Sequence, residues 1–118
     1  MATELAPPRL AVYGSLAPGE RHHDQVEHLG GTWQPGTVRG ELLDRGWGAR
    51  LGYPGFIADA EGPPVPVMVL TSGALAGAWE ALDRFEGAYY RRTRVTVELE
   101  NGESVEAAIY ELRTGAAS

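Results

Sequence analysis

Residues 92–112 read Arg92-Thr93-Arg94-Val95-Thr96-Val97-Glu98-Leu99-Glu100-Asn101-Gly102-Glu103-Ser104-Val105-Glu106-Ala107-Ala108-Ile109-Tyr110-Glu111-Leu112. From Arg94 to Leu99 polar and apolar side chains alternate. A period of two marks a strand with one face buried. Asn101-Gly102 then supplies two residues that tolerate positive φ, the chemistry a tight hairpin needs. The pattern predicts a strand over 92–99 and its return over 104–112. The fold therefore contains an antiparallel sheet near its C-terminal end.

Upstream, residues 74–86 predict a helix, capped by Thr71 or Ser72 and ended by Gly87. Residues 65–71 (Val65-Pro66-Val67-Met68-Val69-Leu70-Thr71) predict a strand, with Pro66 at an edge or at the strand entrance. Residues 44–56 carry four glycines with Trp47, Tyr53, Pro54 and Phe56, and read as a loop. Residues 32–43 hold Trp33, Val38, Leu42 and Leu43 broken by Pro35-Gly36, which predicts one or two strands with a turn. Residues 20–29 predict a short helix ended by Gly30-Gly31. Arg9-Leu10-Ala11-Val12-Tyr13, stopped by Gly14, predicts a buried strand, and Gly14 to Gly19 a loop. Residues 1–8 and 113–118 have little pattern. About five strands with two short helices predict an α+β domain with a curled or barrel-like sheet.

Composition narrows the chemistry. The chain has 118 residues, which is one domain with one core. It has no cysteine and no lysine, and its ten basic residues are all arginine. Disulfides, thiolate metal sites, cysteine nucleophiles, Schiff-base lysines and P-loop lysines are excluded. The net charge of −6 opposes broad nucleic-acid binding. There is no apolar run long enough to span a membrane and no visible secretory signal, so a cytoplasmic location is expected. Abundant Arg, Ala and Gly without Lys fits a GC-rich bacterial genome.

One carboxylate breaks the helix pattern. At about 100° per residue, Leu75, Ala78, Trp79, Leu82 and Phe85 form one apolar stripe, with Glu80 and Arg84 opposite. Glu86 falls inside the stripe. A buried carboxylate has its pKa raised toward the range where it both accepts and donates protons. Two other fates stay open: an outward swing at the helix end, or an ion pair with Arg91 or Arg92. After the first strand, Gly14 and its neighbours in Tyr13-Gly14-Ser15-Leu16 permit a turn whose N–H groups form an anion site; an ordinary turn is the alternative. His22, His23, Asp24 and His28 lack a further ligand and read as a solvated helix, not a metal site. Ser15 lacks the Gly-x-Ser-x-Gly setting of a nucleophile. Arg91 to Arg94 reads as strand-face charge, with one arginine pairing Glu86 or a nearby acid.

Taken in order, Tyr13-Gly14-Ser15-Leu16, Gly52-Tyr53-Pro54-Gly55, Leu82-Asp83-Arg84-Phe85-Glu86-Gly87 and Tyr90-x-Arg92 resemble the γ-glutamylcyclotransferase-like family. The likeness is to its γ-glutamylamine cyclotransferase branch and small bacterial relatives, over residues 9–112 of a single domain. The resemblance implies a small mixed sheet curled into a barrel and flanked by short helices. It implies cyclisation of a γ-glutamyl amide to 5-oxoproline, releasing an amine or amino acid, with no cofactor and no metal. It places the acid/base on Glu86 and the glutamyl-binding loop on Tyr13, Gly14, Ser15 and Leu16. It adds Tyr53, Tyr90, Arg92 and Tyr110 as substrate-binding residues. The family's Val-x-Gly-Glu-type strand before the catalytic helix is replaced here by Val65-Pro66-Val67-Met68-Val69-Leu70. The expected partner is a small γ-glutamyl substrate, with no nucleic acid and no membrane. A catalytically silent binding domain of the same fold, or an interaction protein using the acidic surface, are the alternatives.

Overall fold

A computed structural model describes residues 8–43 and 55–113. The strands are β1 (Arg9–Val12), β2 (Thr32–Leu43), β3 (Gly55–Ala58), β4 (Pro64–Thr71), β5 (Tyr90–Leu99) and β6 (Ser104–Leu112). The helices are α1 (Asp24–Glu27) and α2 (Trp79–Glu86), the second preceded by a 3-10 turn over Gly73–Gly77. Five strands close on themselves in the order β2-β4-β1-β6-β5, with β5 returning to β2. All neighbours are antiparallel except β1 and β6, which meet in parallel at Leu10 and Ala108. The result is the expected mixed barrel with short helices. β3 is a sixth strand, paired with the far end of β2.

Alternation sorts the apolar residues into two layers. Ala11, Val38, Val65, Val67, Val69, Val97, Ala107 and Ile109 pack together as the barrel filling. Leu10, Val12, Leu70, Tyr90, Tyr110 and Leu112 point the other way and pack with Leu16, Val26, Leu75 and Leu82. β1 is thus buried on both faces, which is why it reads as a continuous apolar run rather than an alternating one.

Three local expectations change. Pro35-Gly36 does not turn the chain: β2 runs unbroken through it. Gly36 sits where β5 crosses β2, and a Cβ there would lie 2.8 Å from the Glu98 carbonyl oxygen. Glycine here serves close approach, not a bend. The segment 74–86 is not one helix, since the chain winds as a 3-10 turn through Gly73 and Gly77 and becomes α-helical at Trp79. Two glycines within five residues weaken α propensity there. Gly55 and Phe56, expected in a loop, begin β3, with Phe56 fully buried. The helix start and stop are as expected: Ser72 Oγ accepts from Ala74 N–H, and Gly87 adopts φ +82°. At Pro66 the β4 strand has β2 alone beside it, because β1 reaches only to Met68. Among the described residues, no helix is long and apolar enough to cross a membrane.

Candidate active site

Glu86 ends α2 one turn after Leu82, and both are buried. Glu86 is 9% exposed, and burial pushes its pKa from 4.5 up to about 7. The apolar stripe therefore carries the carboxylate inward. On the opposite face Arg84 and Glu80 form an exposed pair at 3.5 Å. Arg92 takes a different acid: its Nη1 lies 3.2 Å from Asp83 Oδ1, and its guanidinium covers the Trp79 ring at 4.7 Å. Asp83 also accepts the Tyr110 hydroxyl at 2.6 Å. Burial, then that bond to a carboxylate, holds the Tyr110 phenol above its ordinary pKa.

Tyr13 is tied to the same place from the barrel side. Its hydroxyl donates to the Tyr110 carbonyl at 2.6 Å and accepts from Phe56 N–H at 3.1 Å. Its pKa is raised, mainly by burial and further by the charges of Glu86, Tyr90 and Glu111, while the Phe56 N–H opposes the rise. The hydroxyl thus bridges β6 and β3. Tyr13→Phe would leave a buried N–H and a carbonyl short of a partner, and is expected to lower stability by about 1–3 kcal/mol in urea unfolding. An unchanged midpoint would show that the bridge contributes nothing.

The loop after β1 folds by its own hydrogen bonds. Ala17 N–H reaches the Gly14 carbonyl at 3.1 Å, and His22 N–H reaches the Ser15 carbonyl at 2.8 Å. The residue with positive φ is Gly19, at +84°, not Gly14. Among the described residues, the N–H groups of Gly14, Ser15 and Leu16 have no acceptor. Three successive donors in one turn are suited to an anionic or carbonyl oxygen. The Leu16 side chain is buried, and its carbonyl is 2.9 Å from His23 Nδ1. His23 also packs on Trp33, and His22 meets the Phe85 ring edge-on. The reading of these histidines as a solvated helix is corrected: they brace the loop. Among the described residues, no group of three or more His, Asp or Glu is placed to hold a metal.

Tyr90, Arg92 and Tyr110 come together around one cleft of about 220 Å³, with Asp83 and Gly87 in its wall. Glu86 immediately precedes Gly87. Tyr53 lies outside the described residues, as do Gly52 and Pro54. Two residues gain roles that had none. Asp83 was visible within Leu82-Asp83-Arg84-Phe85-Glu86 but falls off the apolar stripe. Glu111 is 8% exposed; its Oε1 accepts from Ala58 N–H at 3.1 Å and its Oε2 from Thr93 Oγ1 at 2.7 Å. Period two along β6 puts Glu111 on the face of Ala107 and Ile109, a signal available in the sequence.

A family model described as gamma-glutamyl cyclotransferase, AIG2-like, matches residues 10–117. No curated protein matches the chain. Among solved structures, it is similar to At5g39720.1 from Arabidopsis thaliana (TM-score 0.71, 25% identity, 97% of this chain and 74% of that one). It is similar also to an aig2-like protein from Mus musculus (TM-score 0.63, 23% identity, 95% and 81%). YkqA from Bacillus subtilis is alike in fold (TM-score 0.70, 23% identity, 91% of this chain), and the chain spans only 36% of its length. With a barrel of the same build and a match over nearly its whole length, the chain belongs to the AIG2-like gamma-glutamyl cyclotransferase family.

Proposed function

We propose that the protein is a γ-glutamyl cyclotransferase in which Glu86 moves the protons. The observation that carries this reading is a buried carboxylate with a pKa of about 7, electrostatically within reach of Tyr13 at the start of the Tyr13–Leu16 loop. The substrate's α-ammonium must lose a proton before its nitrogen attacks the γ-carbonyl carbon. Ionised Glu86 accepts that proton. The new C–N bond closes the five-membered ring, and the amide C–N bond then breaks. Glu86 gives that proton to the departing nitrogen, takes the second proton that the attacking nitrogen sheds on becoming the ring amide, and passes it to the released amine, so the enzyme ends as it began. The nucleophile is the substrate's own amine, and no protein nucleophile is needed.

The loop serves the other half of the task. The N–H groups of Gly14, Ser15 and Leu16, without an acceptor among the described residues, are donors for the glutamyl carboxylate or for charge that grows on the carbonyl oxygen. Holding the glutamyl chain bent, with amine and carbonyl in contact, supplies much of the rate. Tyr13 acts in this scheme by fixing the loop to β6 and β3 rather than by touching substrate with its hydroxyl.

The test is 5-oxoproline release from a panel of γ-glutamyl amines, γ-glutamyl dipeptides and glutathione. Release from at least one, at catalytic enzyme concentration, is expected. Failure with all of them, at high enzyme concentration, would overturn the assignment.

A further inference from the structure

β3 has a strand along one edge and side chains along the other. Among the described residues it pairs with β2 alone. Asp59 N–H, just past its end, points toward β2 and reaches the Arg39 carbonyl at 3.1 Å. N–H groups alternate along a strand, so those of Phe56 and Ala58 point the other way. Two side-chain oxygens meet them there. The Tyr13 hydroxyl accepts from Phe56 N–H at 3.1 Å, and Glu111 Oε1 accepts from Ala58 N–H at 3.1 Å. The two acceptors are neighbours by register. β1 and β6 meet in parallel at Leu10 and Ala108, and Tyr13 and Glu111 each lie three positions further on. Both follow the parity of the barrel filling, Tyr13 after Ala11 and Glu111 after Ile109.

Glu111 is a buried acid that the reaction scheme leaves unused. A carboxylate in such a place is costly unless its oxygens are hydrogen-bonded. Here each oxygen has a donor on a different strand, Ala58 N–H on β3 and the Thr93 hydroxyl on β5. Bonds to an ionised acceptor are short and strong, and two of them fix the side chain. With Ala58 held, Phe56 N–H is presented two residues away to the Tyr13 hydroxyl, which itself donates to the Tyr110 carbonyl. Burial chiefly, with the charge of Glu111 adding to it, keeps the Tyr13 phenol protonated and therefore a donor. Tyr13 opens the turn whose N–H groups face the glutamyl group on the cyclotransferase reading, on which this inference rests. We propose that Glu111 is a positioning residue: by fixing the outer edge of β3 it sets the Tyr13 hydroxyl, and through it the Gly14–Leu16 donors.

The test compares Glu111→Leu with Glu111→Gln. Leucine fills the space but accepts nothing. Glutamine keeps both bonds, its carbonyl oxygen taking Ala58 N–H and its NH₂ donating to the Thr93 hydroxyl, which also accepts. With a γ-glutamyl amide that the wild type turns over, Glu111→Leu is expected to raise KM by about tenfold or more, the scale of a misplaced positioning group. Glu111→Gln should stay near the wild type. Adding Glu111→Leu to Tyr13→Phe should raise KM little further, because both act through one hydroxyl. An unchanged KM in the leucine variant, a glutamine variant equally impaired, or additive effects would overturn the link. Amide hydrogen exchange reads the same link without substrate. In Glu111→Leu the Phe56 amide, which Glu111 does not touch, should exchange at least about tenfold faster, with the Leu70 amide of β4 unchanged. Equal acceleration of both, or of neither, would overturn the proposal. If the leucine variant does not fold, Thr93→Val, which frees one carboxylate oxygen, should show the same pattern more weakly, and wild-type values would overturn it. If the wild type releases 5-oxoproline from no substrate, the reaction is what fails, and the exchange measurement alone decides the role of Glu111.

Discussion

Glu86→Gln is expected to slow 5-oxoproline release by about 10²–10⁴-fold, the usual contribution of a positioned acid/base. Glutamine keeps the size and the hydrogen-bonding edge but neither accepts a proton from the ammonium nor returns one. Binding should change little, so the loss should fall on kcat with KM nearly constant. In the wild type, the carboxylate pKa of about 7 places an acid limb in the rate profile. Activity should rise with pH up to about that value, as Glu86 ionises, and then level off with respect to this group. The measurement is kcat and KM across pH 5–9 for both proteins. A variant that retains turnover would mean that another carboxylate moves the protons.

The same substitution is expected to stabilise the fold, and only at higher pH. The folded-state pKa of Glu86 lies above its ordinary value of 4.5, so the native protein binds this proton more tightly than the unfolded chain does. Below pH 4.5 both states hold the proton, and this site does not separate the two proteins. Between 4.5 and about 7 the unfolded chain releases it first, and stability declines as pH rises. Above about pH 7 the ionised carboxylate stays buried at a cost of up to about 3 kcal/mol, which a neutral glutamine avoids. Urea unfolding of the two proteins should give similar midpoints at pH 4.5 and a clearly higher one for the variant at pH 8. A pH-independent difference would place Glu86 in water. The pair of results would identify a group that lowers stability because its chemistry requires it.

Much of this was legible in the residues. The alternation over 94–99 with Asn101-Gly102 specified the β5–β6 hairpin, because a half-buried strand and a tight turn each leave a local signature. Glu86 was legible because one charged residue on an apolar stripe conflicts with its own helix. The unbroken course of β2 was not legible. Pro35-Gly36 suits a turn and suits a crossing point equally well, and only the arrival of β5 decides between them. Nor was the tie from Asp83 to Arg92 and Tyr110, since Asp83 falls just beside the stripe and its partners come from β5 and β6. The bracing by His22 and His23 was missed for the same reason: their partners Leu16, Trp33 and Phe85 lie on separate elements. Tyr90, Arg92 and Tyr110 entered through family likeness and were found around one cleft.

The parallel contact between β1 and β6 has a consequence for how the protein comes into being. β1 is the first of the described strands along the chain, yet one of its two neighbours is β6, the last of them. The Tyr13 hydroxyl finds its carbonyl acceptor 97 positions later. Contacts of such separation form only after a long loop has been closed, and chains rich in them fold slowly. A nascent chain that lacks β6 already holds α2 and Glu86 but has no Tyr110 to engage Tyr13 or Asp83. The loop after β1 then lacks its tie to β6. The tie that holds the loop after β1 and the closure of the barrel therefore arrive in the same step, when β6 joins β1 and β5.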